Sequence, residues 1–196
     1  QPGSVAARGC PTTAWPCARM NAGRVAPDEL TEAERYLTSE TTRARGSIIG
    51  SYAQVEFVLA DFAVKCSRRP EFAALVDGFP YKMEARLRAV TTILKREPFR
   101  RYRGAAKPLV TGLERWEELR HMMAHGFLMI EVTAEGQHRL VFRMYEPAGD
   151  REAILHTFPT NLELLVQASL EAAAYAHSFV TLFRRIYLEQ AIEGDV

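Results

Sequence analysis

Cysteine is scarce in this chain. The three present, Cys10, Cys17 and Cys66, are an odd number that cannot close a full disulfide set. No CxxC pair or zinc-spaced Cys/His group accompanies them, which excludes a disulfide-stapled or zinc-finger domain. Cys66 falls on a predicted helix and reads as a buried free thiol, so a reducing, cytoplasmic setting is the expectation. Long apolar runs are missing too. The longest, over residues 47–64, is interrupted by Gln54, Glu56 and Asp61. It falls short of the roughly 18 apolar residues of a transmembrane helix, and no membrane contact is expected. Acids are absent from residues 1–27, which hold Arg8, Arg19 and Arg24. Beyond that segment the chain carries 22 basic against 24 acidic residues. The folded part is therefore not a globally basic nucleic-acid binder, and any RNA contact must come from a local patch. There is no internal repeat.

What the chain does carry is enough apolar residue, 47% of 196 positions, for one domain with a real core. Residues 1–27 are rich in Gly, Pro, Ala, Thr and Arg without periodicity. Such a segment cannot bury enough surface to offset its ordering entropy. It reads as a disordered leader or start-site extension, with Met20 as an alternative start. Asp28-Glu-Leu-Thr after Pro27 suits a helix start, running through Glu40 toward Arg45. Gly46 and Gly50 predict a weakening. A strongly buried helix then follows through Tyr52, Val55, Phe57, Val58, Leu59, Phe62 and Val64, ending near Cys66. Arg69-Pro70 breaks it, a short helix covers Glu71 to Val76, and Gly78-Phe-Pro80 makes a turn.

Lys82 to Arg96 has the clearest amphipathic pattern and is stopped by Pro98. Residues 99–107 read as a basic connection. Pro108 suits the first turn of a helix carrying Leu109, Leu113, Trp116, Leu119 and Met123, with Gly126 as its stop. Phe127–Thr133 and Arg139–Tyr145 alternate around Glu135-Gly136, a β-hairpin closed by Pro147 to Asp150. A long last helix begins near Thr160 and extends through Ile186. The expected fold class is all-α: a four- to five-helix bundle with one β-hairpin inserted before the last long helix.

Histidine is rare, five in the chain, yet two of them join an arginine in Arg120-His-Met-Met-Ala-His125. An arginine grips phosphate through forked, charge-assisted hydrogen bonds. A histidine takes or gives a proton near neutral pH. His121 and His125, four apart, share a helix face. Arg120 and His125, five apart, lie about 140° around the axis. To converge, they need the helix end, the reach of arginine, or a symmetric second subunit that sets two copies around one cleft.

Leu119-Arg-His-Met-Met-Ala-His-Gly126 resembles the Arg-polar-(x)n-His motif of the HEPN superfamily, and the surrounding helical pattern over residues 30–190 is similar to its bundle. The resemblance implies one HEPN-like domain over residues 28–196. Many members are metal-independent ribonucleases, toxins or antiviral effectors that act as dimers. It implies that Arg120 binds the scissile phosphate and stabilises charge on it. His125 moves the proton, and the attack comes from the ribose 2′-hydroxyl, which restricts the substrate to RNA. His121 stands where the family more often has Asn or another polar residue. The implied partners are a second copy of the chain, RNA, and an antitoxin or regulatory protein. No cofactor or metal is implied. Other HEPN-like domains bind RNA, a nucleotide or a protein without catalysis.

Bland readings stand beside these. His121 and His125 could be half of a metal site, though HExxH is absent and zinc wants further ligands. They could also be ordinary surface or core residues. Arg120 could simply pair with Glu114, Glu117 or Glu118. Lys95, Arg96, Arg100, Arg101, Arg103 and Lys107, interleaved with Phe99 and Tyr102, form either a single-stranded RNA patch or a solvated loop. Glu56 and Asp61 interrupt an apolar helix and need partners. Glu56, one turn from Tyr52, either supports Arg120 or His125 or pairs with an arginine elsewhere. His138, His156 and His177 have no companions at useful spacing and read as structural, and Met122, Met123 and Met129 as core or interface filler.

Overall fold

Leu37, Thr41, Ala44, Ile48, Ser51, Val55, Leu59, Phe62 and Cys66 are all buried, and they recur at spacings of three and four. That stripe builds one 36-residue helix, α1 (Glu32–Ser67), where the sequence predicts a weakening at Gly46 and Gly50. Two glycines cost about 1 kcal/mol each relative to alanine. Burying Ile48, Val55, Leu59 and Phe62 returns roughly 1.5–3 kcal/mol apiece, so the stripe wins. The helix opens with a capping box: Glu34 N donates to Thr31 Oγ1 at 3.2 Å and Thr31 N to Glu34 Oε2 at 2.8 Å. The molecule is seen as a computed structural model that describes residues 30–75, 78–149 and 152–192. The leader, Cys10, Cys17, the Asp28 start, Val76 and Asp150 lie outside the described residues.

Five further helices follow: α2 (Pro70–Ala73), α3 (Met83–Ile93), α4 (Arg103–Thr111), α5 (Glu114–His125) and α6 (Leu162–Glu189). In α6, Leu165, Ser169, Ala172, Ala176, Phe179, Phe183 and Ile186 repeat the spacing of α1. The two long helices run parallel and side by side. Tyr52 lines a small cavity with Tyr175, Phe62 meets Phe183 at 5.2 Å between ring centroids, and Tyr187 donates to Asp61 at 2.7 Å. By length and composition α1 alone could cross a membrane; here its apolar stripe is the centre of the core. Asp61 also pairs with Lys65 at 3.1 Å. Cys66 is a free, fully buried thiol, and burial pushes its pKa up to about 12.

Two expectations about residues 99–125 are corrected. The basic connection is a 3-10 turn (Phe99–Tyr102) running into α4, and Pro108 sits inside α4 rather than opening α5. It fits there because Pro108 falls at the second turn of a short helix that ends three residues later. Gly126 does end α5, but its φ of −69° is an ordinary one. Glycine is needed there for space: an added Cβ would collide with the Met122 carbonyl oxygen and stand 3.3 Å from the Phe142 Cβ.

The expected hairpin is a three-stranded antiparallel meander, β1 (Phe127–Val132), β2 (His138–Pro147) and β3 (Ala153–Thr160). Gly136, at φ 76°, makes the first turn. The third strand escapes sequence reading because Pro159 argues against a strand. It is tolerated on an edge, and β3 pairs only with β2 among the described residues. Leu140, Phe142, Met144 and Glu146 share one face of β2 by the two-residue period, and this face meets α5.

Candidate active site

α5 delivers the motif to the corner between α1 and the sheet. Its last carbonyls need donors, and Arg45 of α1 supplies them. Arg45 Nε donates to the Met123 carbonyl and Nη2 to that of Ala124 at 3.2 Å, while the guanidinium lies 5.9 Å from the Phe142 ring centroid. Arg45 went unnoticed in the sequence because it lies 78 residues from its acceptor. It also brings a fixed cation to the helix end that carries His125.

Arg120 turns the other way, onto α1. Its guanidinium carbon sits 4.9 Å from the centroid of the buried Tyr52 ring, a cation–π contact. Of the two residues named from sequence as support, Tyr52 is the one in contact with Arg120. Burial pushes its phenol up to about 12, the charge of Glu117 adding to this and Arg120 opposing it. Glu56 is not part of this arrangement: it pairs with Arg86 of α3 at 3.5 Å. Among the described residues Arg120 makes no ion pair, neither with Glu114, Glu117 nor Glu118. It is a half-buried cation without a carboxylate.

His121 and His125 share a face as their spacing requires, with ring centroids 4.8 Å apart. His121 Nε2 stands 3.3 Å from Glu146 Oε1, and His156 Nε2 stands 3.1 Å from Glu146 Oε2. His156, which spacing alone sets aside as structural, therefore belongs to this corner. The period of β2 could have flagged Glu146, since it continues the buried Leu140, Phe142, Met144 face. Nothing local could have flagged His156, whose strand was not foreseen. Among the described residues no group of three His, Cys, Asp or Glu side chains is placed to hold a metal ion.

The basic cluster has a different fate. Phe99 and Tyr102 are buried, so neither ring offers a face to a base, and the stacking half of that expectation is corrected. Arg101 pairs with Glu189 at 2.8 Å. Arg103 and Lys107, with Lys95, border a crevice of about 230 Å³ floored by Leu94 and Val110. Arg96 and Arg100 make no ion pair among the described residues. Phe99 packs on Phe62, 17 residues along α1 from Arg45. By helix rise that is about 25 Å from the histidine corner.

No family model matches the chain, and no curated protein or solved structure matches it either. The corner must be read on its own chemistry. It combines an arginine without a carboxylate partner among the described residues with two imidazoles on one carboxylate and a third, His125, against His121. Half-exposed ion pairs of this kind contribute about 0–1 kcal/mol, which makes stability a weak reason for gathering them.

Proposed function

We propose that this chain is a metal-independent endoribonuclease of the HEPN type, acting as a homodimer. Arg120 binds the scissile phosphate and stabilises the charge that builds on it. His125, exposed at the end of α5, moves the proton as the ribose 2′-hydroxyl attacks phosphorus. The observation that carries this reading is the Arg120 guanidinium, which has no carboxylate partner among the described residues, on the same turn of α5 as the half-exposed His121 that pairs with exposed His125. The basic residues Arg96, Arg100, Arg103 and Lys107 extend the RNA contact along the bundle. A role in defence against phage or as a toxin held by an antitoxin belongs to the same reading.

A second reading is a non-catalytic bundle that binds RNA, a nucleotide or a protein partner. The placement of Glu146 between His121 and His156 favours it, since the same contacts tie the sheet to α5. One experiment separates the two: cleavage of RNA in EDTA by the wild type, Arg120→Ala and His125→Ala, with end-group analysis. The first reading expects a 2′,3′-cyclic phosphate, a loss of about 10²–10³-fold for Arg120→Ala, and about 10²–10⁴-fold for His125→Ala. Binding without cleavage, or full activity in both variants, sinks it.

A further inference from the structure

Glu146 faces two imidazoles from two different elements, one on each carboxylate oxygen. An ionised carboxylate only accepts hydrogen bonds, so a ring that bonds to it from Nε2 does so through an N–H. In the neutral form of each ring the free lone pair then resides on Nδ1. The carboxylate therefore stands where it can orient His121 on α5 and His156 on β3 together. Arg45 of α1 is the cation held at the carbonyl end of α5, while Arg120, next to His121 in sequence, lies over Tyr52. The side chains of His121, Glu146 and His156 are each about two-fifths exposed, at 42%, 42% and 43%, so a ligand can reach them.

Attack by a 2′-hydroxyl requires two proton movements. One group removes the 2′-O–H proton as that oxygen bonds to phosphorus. Another delivers a proton to the 5′-oxygen as its bond to phosphorus breaks. The cyclic phosphate and the 5′-hydroxyl form with no water consumed and no net proton change. Attacking and leaving oxygens lie roughly in line on opposite sides of phosphorus. His121 and His125, one helical turn apart on one face, approach a phosphate from the same side. A second proton-transfer group from another element would complete the pair, and β3 brings His156 to the same carboxylate that faces His121.

Resting on the ribonuclease reading, we propose that His156 is the second proton-transfer group of the site and that Glu146 is its positioning residue. The acid–base pair is then complete within one chain, His125 from α5 and His156 from the sheet, with Arg120 between them in role.

The test is the pH–rate profile of RNA cleavage in EDTA by the full chain, with the melting temperature of each variant taken alongside. The wild type is expected to show two limbs. His156→Ala should fall about 100-fold or more, lose one limb, and recover part of its rate with added imidazole. Glu146→Gln should fall about tenfold or more and shift that same limb, while Glu146→Asp retains most of the rate. Wild-type rates and two intact limbs in His156→Ala and Glu146→Gln overturn the proposal and leave the Arg120–His125 reading standing. So does a rate loss that only follows melting temperature with the profile unchanged. A wild type that cleaves no RNA overturns both.

Discussion

The carboxyl end of α1 and its middle handle polar groups in opposite ways. At its carboxyl end the network around Asp61 and Glu189 is closed. Asp61 takes Lys65 and the Tyr187 hydroxyl. Glu189 takes Arg101, Arg185 and the Tyr102 hydroxyl, at 2.8, 2.8 and 2.7 Å. Gln190 Nε2 donates to Tyr102 at 2.9 Å, and Arg69 closes the end of α6 through the Gln190 and Ala191 carbonyls. Burial, then the bond to Asp61, pushes the Tyr187 phenol far above its usual range. Near the middle of α1, where α5 and the sheet meet it, the inventory does not close. Among the described residues Arg120 has an aromatic face in place of a carboxylate, and two imidazoles share one Glu146 with a third, His125, beside His121. A network satisfied internally has nothing left for a ligand; one with surplus donors at a half-exposed corner does.

The largest test of that contrast falls on the closed end. Phe62 is fully buried, with Phe99 at 5.3 Å and Phe183 at 5.2 Å. Phe62→Ala should cost about 3–5 kcal/mol, measured by urea unfolding. A loss under about 1 kcal/mol would mean this end is not the anchor of the fold. Arg120→Ala, by contrast, should strip activity while leaving the unfolding midpoint close to wild type. A large stability loss there would erase the distinction between the two regions.

Arg45→Ala sits between these extremes. It leaves two carbonyls at the end of α5 without their donor and should cost about 1–3 kcal/mol. Hydrogen exchange should be faster in the last turn of α5 than elsewhere in the bundle. Uniform exchange would show that Arg45 does not hold that turn.

The smallest effect is a pH dependence at the closed end. The Tyr102 hydroxyl, and after it Arg185 and Arg101, holds the Glu189 carboxyl below its ordinary value of 4.5. Its folded pKa is lowered, so the stability it adds is complete above the unfolded value and fades as pH falls through the native one. The gap in melting temperature between wild type and Glu189→Gln should therefore shrink from about pH 5 to about pH 3. A gap independent of pH would remove Glu189 from the network.

Much of the fold was legible locally. The amphipathic stripe of α3, the stop at Gly126, the turn at Gly136 and the long last helix all rest on contacts within a few residues, and each is present. The glycines at 46 and 50 misled because propensity counts one residue at a time, whereas the stripe from Leu37 to Cys66 acts over about eight turns at once. The candidate site was legible only in half. Arg120, His121 and His125 stand together in sequence. Glu146 and His156 enter from strands 20 and more residues later.

By itself the sequence determined the rare chemistry of the chain. An arginine and two histidines end a helix, three cysteines form no framework, and the polar outer faces leave stripes that must be buried. Tertiary structure alone decided which groups that chemistry meets. It turned Arg120 onto Tyr52, gave the carbonyls of α5 to Arg45, and set Glu146 between His121 and His156. It also buried Phe99 and Tyr102 away from any base. The physical reason is range. Helix and strand periods come from neighbours a few residues apart, while the partner of a side chain is set by packing between segments that local pattern does not relate.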